Sequence, residues 1–258
     1  MVFGEPVTGR ISVTGMNGRC IRPKGETDMD EIIILDIKFK FGQTEDEIHP
    51  VVIKSGKNVI LIDCGYPGFL PLIEKAMEEQ RLSCSDLTHV LITHQDHDHM
   101  GALFELKEKY PGIKVVAGKT EAPYISGRCK SLRLEQAERL QSQLPEDQRE
   151  MGEAFCNMLK AVGPVAVDIL AEEEEAPDWC RGCTVLETPG HTPGHISLYL
   201  HEKKTLIAGD AAVLEAGRLI VANPQYALDL DQAETSLQRV MNYGADRIIC
   251  YHGGTWVR

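Results

Sequence analysis

Short apolar segments recur along the chain and predict a protein rich in β-strands. Each segment is three to five residues long, and polar or turn-forming residues flank it. Most are rich in β-branched residues, a composition typical of strands. In chain order the segments are residues 32–35, 51–53, 59–62, 90–92, 115–117, 184–186, 196–200, 205–208 and 248–250.

Two longer segments carry apolar residues at helical spacing. Residues 71–81 begin with Pro71, which suits the first turn of a helix, and residues 231–243 are followed by Gly244, a typical helix-terminating residue. Strands dominate the early part of the chain and mix with helices later. The pattern therefore predicts an α/β fold in which helices cover sheets in a layered sandwich.

Residues 121–162 differ from the rest, because they show little strand character. The second half of this segment spaces apolar residues as a helix would: Met151, Phe155, Met158, Leu159 and Val162. We interpret residues 121–162 as a helical insertion in a single domain of residues 1–258. The insertion serves either as additional cover for the core or as a lid over a binding site.

The composition is that of an ordinary globular protein, with 43% apolar and 26% charged residues in 258. The formal net charge of −12 disfavours nucleic acid as a partner, because an acidic surface repels phosphate. No run of 18 apolar residues and no signal-peptide pattern is present. We therefore expect a cytoplasmic protein that does not enter the membrane.

Eight cysteines are scattered through the chain, and we expect them to be free thiols. They are Cys20, Cys64, Cys84, Cys129, Cys156, Cys180, Cys183 and Cys250. Cys180 and Cys183 form a single C-x-x-C pair, whereas a four-thiolate metal site needs two such pairs. A redox role is an alternative, but a redox pair would open a helix and this one precedes a predicted strand.

The segment THQDHDHMG, residues 93–101, concentrates metal-ligand side chains. Three histidines and two aspartates fall within residues 94–99, between the predicted strand 90–92 and a predicted helix that extends to Lys109. Burying so many polar groups without partners would cost about 1–3 kcal/mol for each group. A metal ion is the natural partner for imidazoles and carboxylates together.

Five segments in order resemble the motifs of the metallo-β-lactamase superfamily. His94, Asp98 and His99 match its signature H-x-H-x-D-H, and Asp96 stands where the signature has its second histidine. The other four motifs are LIDCG at 61–65, TPGHTPGH at 188–195, AGD at 208–210 and YHGG at 251–254. Together the motifs cover most of the chain.

The resemblance implies a four-layer αββα sandwich that holds two divalent metal ions. The implied ligands are His94, Asp96, His191 and Asp210 for one ion, and Asp98, His99, His252 and Asp210 for the other. Asp63 and His195 would orient these ligands through hydrogen bonds. His97 is the alternative to Asp96. Asp98 would also orient a hydroxide that bridges the two ions and pass its proton to the leaving group.

An aspartate at position 96 changes the charge of such a centre. Two divalent ions carry four positive charges, and three carboxylates with one hydroxide carry four negative charges. A histidine at position 96 would leave one positive charge, so the neutral centre predicted here is the weaker Lewis acid. Zinc remains the first expectation, and iron or manganese become possible because carboxylates suit harder metals.

We therefore expect a hydrolase of a small-molecule ester, lactone or thioester. The alternatives are a phosphodiesterase and a mono-iron or di-iron oxidoreductase. Acyl-homoserine lactonases carry a tyrosine three residues after the bridging aspartate, where this chain has Val213, and Tyr226 could substitute for that tyrosine.

Basic residues gather at the start of the insertion, in a chain that is otherwise acidic: Arg128, Lys130 and Arg133, with Tyr124 nearby. We predict that Tyr124 and Arg128 contact an anionic part of the substrate, since a guanidinium can bind two oxygens of a carboxylate or phosphate at once. The alternative is a solvated loop with a few counter-charges.

Overall fold

The computed structural model describes residues 31–258. Cys20 and the first 30 residues of the predicted domain lie outside this range. The strands are β1 (Glu31–Ile34), β2 (Ile37–Phe41), β3 (Thr44–Ile48), β4 (Val51–Ser55), β5 (Asn58–Ile62), β6 (His89–Ile92), β7 (Lys114–Gly118), β8 (Ile169–Ala171), β9 (Glu174–Glu175), β10 (Cys183–Glu187), β11 (Ile196–Leu200), β12 (Thr205–Ile207), β13 (Val213–Glu215), β14 (Arg218–Ile220), β15 (Arg247–Cys250) and β16 (Gly254–Val257). The α-helices are α1 (Leu70–Glu79), α2 (His97–Met100), α3 (Leu103–Lys109), α4 (Ala122–Ile125), α5 (Leu132–Gln141), α6 (Arg149–Lys160) and α7 (Leu230–Asn242).

Twelve of these strands form two six-stranded sheets. The first has the order β1-β4-β5-β6-β7-β8 and the second the order β16-β15-β12-β11-β10-β9. Strands β5, β6, β7 and β8 are parallel to one another, and β12 is parallel to β15, whereas the remaining pairs in both sheets are antiparallel. The hairpins β2–β3 and β13–β14 stand beside the sheets.

Alternating side chains of the central strands enter different layers of the core. In β4, Val51 and Ile53 face the second sheet and pack with Val185 and Leu198, whereas Val52 faces α1 and packs with Ile73. On the other side of the molecule, the outer face of the second sheet packs against α7 in the same manner. Two sheets thus lie face to face with helices outside each one. This confirms the predicted α/β sandwich of four αββα layers.

The two clearest helix predictions match α1 and α7 within one or two residues at each end. The helix expected to extend from residue 100 to Lys109 is instead divided into α2 and α3. Gly101 lies at the break, where a Cβ atom would come within 2.3 Å of the His97 carbonyl oxygen and the Pro67 nitrogen. A continuous helix with ordinary side chains would collide with the segment that carries Pro67.

Helices α4, α5 and α6 lie between β7 and β8, in the segment interpreted as an insertion. Helices α5 and α6 pack on each other through Ala137, Cys156 and Leu159, with Leu134 and Phe155 at the margin. This small cluster is separate from the three clusters around the sheets. The single-domain organisation stays a prediction.

Six cysteines of the described range form no disulfide: Cys64, Cys84, Cys129, Cys156, Cys180 and Cys250. Cys180 and Cys183 are both buried, and Cys183 Sγ donates a hydrogen bond to the Cys180 carbonyl oxygen. Cys183 begins β10 and not a helix. Within residues 31–258, no helix is long and apolar enough to cross a membrane.

Candidate metal centre

The predicted ligands come together at one edge of the two sheets. Because β5 is parallel to β6 and β12 is parallel to β15, the carboxyl ends of each pair open at the same edge. His94 follows β6, Asp210 follows β12, and His252 follows β15. His191 reaches the cluster from the loop between β10 and β11. Ligands from both sheets therefore meet at one place.

Two groups of ligand atoms form within this cluster, and a third, made of His94, His99 and Asp210, overlaps both. In the first, His191 Nε2 lies 3.0 Å from Asp96 Oδ2, and His94 Nε2 lies 3.6 Å from the same oxygen. In the second, His252 Nε2 lies 3.2 Å from Asp98 Oδ2. His99 joins the second group, with its ligand atom within 4.8 Å of those of the other two residues.

Asp210 lies between the two groups. Its Oδ1 is 3.3 Å from His99 Nε2 in the second group, and its Oδ2 is 3.4 Å from His191 Nε2 in the first. The carboxylate thus presents one oxygen to each group, which is the arrangement that a bridging ligand requires.

The donor atoms of the cluster fit divalent metal ions. His94 Nε2, His99 Nε2 and Asp210 Oδ1 are buried and have no hydrogen-bond partner among the described residues. Each such atom costs about 1–3 kcal/mol when it is left unsatisfied. Imidazole nitrogens and carboxylate oxygens together suit zinc, iron and manganese, so a cation at each group would satisfy these atoms.

Asp63 orients two histidines of the cluster, His99 directly and His94 through Thr93. Its Oδ2 accepts hydrogen bonds from His99 Nδ1 and from the Thr93 hydroxyl, each at 2.8 Å. The Thr93 hydroxyl in turn lies 3.0 Å from His94 Nδ1. These contacts occupy both Nδ1 atoms and leave both Nε2 atoms for a metal. Asp63 has φ of 58°, a left-handed conformation uncommon outside glycine.

His195 lies beside the cluster and binds the backbone. Its Nε2 accepts a hydrogen bond from the Asp210 N–H at 2.9 Å, and its Nδ1 lies 2.9 Å from Thr188 Oγ1. Burial and the nearby His94 hold the pKa of His195 well below its usual value, so the ring is neutral. His195 therefore orients Asp210 through its backbone and has no lone pair left for a metal.

Asp96 and His97, the two alternatives for one ligand position, have different surroundings. Asp96 is buried inside the first group of ligand atoms. His97 instead lies on the cavity wall, where its ring packs against Tyr66 at 5.3 Å and Phe155 at 5.6 Å between ring centroids.

Arg133 is the main feature of the site that sequence reasoning did not find. Its Nη2 lies 2.6 Å from Asp96 Oδ2, and its Nε lies within 3.2 Å of both Asp96 oxygens. Burial opposes the charge of Asp96, but Arg133, the hydrogen bond from His191 and the nearby His94 hold the pKa of this carboxyl well below its usual range. The charge count made from sequence omitted Arg133, which adds one positive charge beside the ligands.

The two residues predicted to contact substrate are placed elsewhere. Neither Tyr124 nor Arg128 lines the cavity above the ligands. Arg128 is exposed and donates from Nε to the Ser126 hydroxyl at 3.1 Å, and Tyr124 is half-buried on α4. The basic cluster thus contributes Arg133 to the site, because Arg133 lies in the first turn of α5 and contacts Asp96, whereas Arg128 and Lys130 precede this helix.

Two buried side chains hold the ligand loops in place through backbone atoms. Glu121 is fully buried and accepts hydrogen bonds from the Gln95 N–H at 3.0 Å and the Gly194 N–H at 2.8 Å. Tyr251 donates from its hydroxyl to the Asp98 carbonyl oxygen at 2.7 Å. Glu121 thus connects the loop of Asp96 to the loop of His191 and His195.

A cavity of about 550 Å³ opens above the ligands. Asp96, Asp98, Asp210, His191 and His252 form its polar floor, and its walls are largely apolar and aromatic, with Tyr66, Phe155, Val213, Ile220 and Tyr226. Arg133 is the only lysine or arginine among the lining residues of the described chain. The cavity has the size of a small-molecule site with a polar floor and apolar walls.

Comparison with known proteins identifies a family and a fold for this chain. The sequence pattern of the metallo-beta-lactamase superfamily matches residues 44–252. The chain is 26% identical over 160 residues to the probable metallo-hydrolase YflN of Bacillus subtilis, covering 60% of this chain and 55% of that protein. It is 29% identical over 176 residues to the hydroxyacylglutathione hydrolase of Photobacterium profundum, covering 67% of this chain and 50% of that enzyme.

The chain therefore spans about half the length of these two curated relatives. Among solved structures, the fold is similar to that of a metallo-beta-lactamase family protein from Thermus thermophilus. The TM-score is 0.65 at 22% identity, covering 88% of this chain and 74% of the other.

Proposed function

We propose that this chain, which belongs to the metallo-beta-lactamase superfamily, is a dinuclear metal-dependent hydrolase of a small, uncharged ester, lactone or thioester. The observation that carries the proposal is the position of Asp210. One of its oxygens faces His99 and the other faces His191, so a single carboxylate serves two groups of ligand atoms. The apolar cavity directly above this pair of groups offers room for an acyl group.

The residues proposed to hold the metals follow from the two groups. One ion would be held by His94, Asp96 and His191 and the other by Asp98, His99 and His252, and Asp210 would contribute one oxygen to each. Bound there, divalent ions supply Lewis acidity and an activated water near neutral pH. Zinc is the first expectation, and iron or manganese are the alternatives because three of the ligands are carboxylates.

Asp98 is the residue that we assign to proton transfer. It lines the cavity, and its side chain retains 15% exposure while most other ligands are buried. Its backbone carbonyl is held by the Tyr251 hydroxyl, which limits rotation of the loop. Its carboxylate can therefore accept a proton from the attacking water and return it to the leaving oxygen or sulfur.

The charges around the cavity favour an uncharged substrate. Glu215 lines the rim together with the aspartates of the floor, and the guanidinium of Arg133 is already paired with Asp96. An anionic phosphodiester would meet no unpaired lysine or arginine among the described lining residues. The aromatic rings of Tyr66, Phe155 and Tyr226 instead suit an apolar acyl chain.

The test combines metal analysis with a substrate panel. Purified protein is analysed for metal content and assayed on p-nitrophenyl esters of increasing acyl length, on lactones, on acyl thioesters and on bis(p-nitrophenyl) phosphate. We expect two metal ions per chain and turnover of one acyl class that Asp98→Asn reduces by about 10²–10⁴-fold. Turnover of the phosphodiester alone, or bound iron with redox turnover and no hydrolysis, would replace this proposal with one of the alternatives.

A further inference from the structure

Asp96 and Arg133 form a buried ion pair at the edge of the metal centre. Only 6% of the Asp96 side chain and 3% of the Arg133 side chain are exposed. The guanidinium approaches the carboxylate with two nitrogens, Nη2 at 2.6 Å and Nε within 3.2 Å, which is the fork geometry of a strong pair. A buried pair of this kind leaves a costly unpaired charge if either partner is removed.

Four of the five N–H groups of the guanidinium donate to groups of the protein. Its Nη1 donates to Gln136 Oε1 at 2.6 Å and to the Tyr226 carbonyl oxygen at 2.5 Å. Its Nε and Nη2 are directed at Asp96, and Nη2 also lies 3.4 Å from His191 Nε2. Arg133 therefore lines the cavity as a fixed positive charge that is committed to the protein.

The same pair holds the helical insertion against the ligand loop. Gln95 Oε1 accepts a hydrogen bond from the Leu132 N–H at 2.9 Å, and Asp96 binds Arg133, the next residue of α5. Two consecutive residues of the loop thus contact two consecutive residues in the first turn of the helix. This contact fixes where Arg133 stands relative to the ligands.

With Arg133 counted, the site has the same net charge as one with a neutral ligand at position 96. Three carboxylates of the proposed ligand set, Asp96, Asp98 and Asp210, carry three negative charges, and Arg133 offsets one of them. The sum of minus two equals that of a site with two carboxylates and a neutral ligand at position 96. Asp96 with Arg133 therefore has the net charge of a neutral ligand while it presents a carboxylate oxygen.

We infer that Arg133 is a positioning residue that compensates the charge of Asp96, so that the pair acts as one neutral ligand unit of the metal centre. This inference rests on the proposed function, since it requires metal at the cluster. It reverses a simple expectation from the sequence. Replacing Asp96 by histidine, the residue of the family signature, should impair the site as long as Arg133 remains.

The experiment measures Zn²⁺ affinity by competition with a chromogenic chelator, together with the melting temperature of the metal-free protein. In Asp96→His, the guanidinium loses its carboxylate and stays beside the cations. We expect Zn²⁺ affinity to fall by at least about tenfold, or ~1.4 kcal/mol. In Asp96→His combined with Arg133→Met, the affinity should return to within about threefold of wild type.

The single variant Arg133→Met should differ from Asp96→His in its effect on Zn²⁺ affinity. The uncompensated Asp96 attracts cations, so Zn²⁺ affinity should not fall, whereas the metal-free protein should melt at a lower temperature because three carboxylates then repel one another. A purely structural role, in which Arg133 only anchors α5, predicts weaker Zn²⁺ binding in Arg133→Met and no recovery in the double variant. The matched control is Arg128→Met, an exposed arginine of the same segment, which should leave both measurements unchanged.

The outcomes separate this inference from the proposed function. A wild-type protein that binds no divalent metal overturns both. A wild-type protein that binds two ions, with a double variant no better than Asp96→His, overturns only the role of Arg133. If Asp96→His does not fold alone, recovery of folded, Zn²⁺-binding protein in the double variant is the expected result, and an equally defective double variant would refute the inference.

Discussion

Removal of the Glu121 carboxylate should destabilise the protein far more than removal of an exposed glutamate. Glu121 is fully buried and accepts two hydrogen bonds, from the Gln95 N–H at 3.0 Å and the Gly194 N–H at 2.8 Å. Both donors are backbone groups in the loops that carry the proposed ligands. In Glu121→Ala, both N–H groups lose their acceptor in the protein interior.

The expected loss of unfolding free energy follows from the two hydrogen bonds that Glu121 accepts. A hydrogen bond to a charged group contributes about 1.5–3 kcal/mol, so Glu121→Ala should lower the free energy of unfolding by about 3–6 kcal/mol. Glu121→Gln keeps one acceptor oxygen and places an amide NH₂ group against the other N–H. It should therefore lose about half as much, ~1.5–3 kcal/mol.

Urea unfolding of the metal-free protein measures this loss directly. Zn²⁺ affinity should fall in parallel, because Glu121 connects the loop of Asp96 to the loop of His191. The control is Glu172→Gln, which removes an exposed carboxylate paired with Lys119 at 2.8 Å and should leave the free energy of unfolding unchanged within experimental error. A loss below about 1 kcal/mol in Glu121→Ala would refute the reasoning, since it would mean that the two N–H groups find other acceptors.

Further variants test other contacts. Tyr251→Phe removes the hydroxyl that joins the Asp98 loop to the Gly65 N–H, and it should cost about 1–3 kcal/mol in urea unfolding, with Tyr199→Phe as the control. Gly101→Ala places a methyl group within 2.3 Å of backbone atoms and should cost at least about 1–3 kcal/mol, whereas Gly112→Ala meets open space; equal melting temperatures would contradict this. Asp210→Ala should lose both metal ions by elemental analysis, and full occupancy would show that Asp210 does not bridge. Metal removal by a chelator should lower the melting temperature, since Zn²⁺ at about 100 times its Kd stabilises the fold by ~2.7 kcal/mol.

The layers of the fold and the grouping of the ligands could be predicted because both depend on local patterns. Alternating or continuous apolar residues mark strands wherever the strands are buried, as in β4, β5 and β6. The proposed ligands follow directly after such strands, so their motifs also indicate the edge of the sheet at which they meet. Hairpin β2–β3 was not predicted, because β3 (Thr44–Ile48) is mostly charged and exposed.

Arg133 and Glu121 could not be identified in the same way. Arg133 stands 37 residues from Asp96 in sequence, and Glu121 stands 73 residues from Gly194. Nothing in the residues next to Arg133 distinguishes it from Arg128, which is exposed. The signal in the sequence was Asp96 itself, because a carboxylate buried beside two others requires a positive charge nearby. Which arginine provides that charge is visible only from the packing of α5.

The origin of the ligands in both sheets has a consequence for the order in which the protein folds. Asp96 and His191 are 95 residues apart in sequence, and Tyr251 contacts Gly65 across 186 residues. Neither group of donors with Asp210 exists until both sheets have docked, so a metal ion cannot nucleate early folding as it does in small zinc-dependent domains. A metal ion at the proposed site would instead bind the folded protein and slow its unfolding. Refolding rates should therefore be the same with and without Zn²⁺, while unfolding rates should fall when Zn²⁺ is bound.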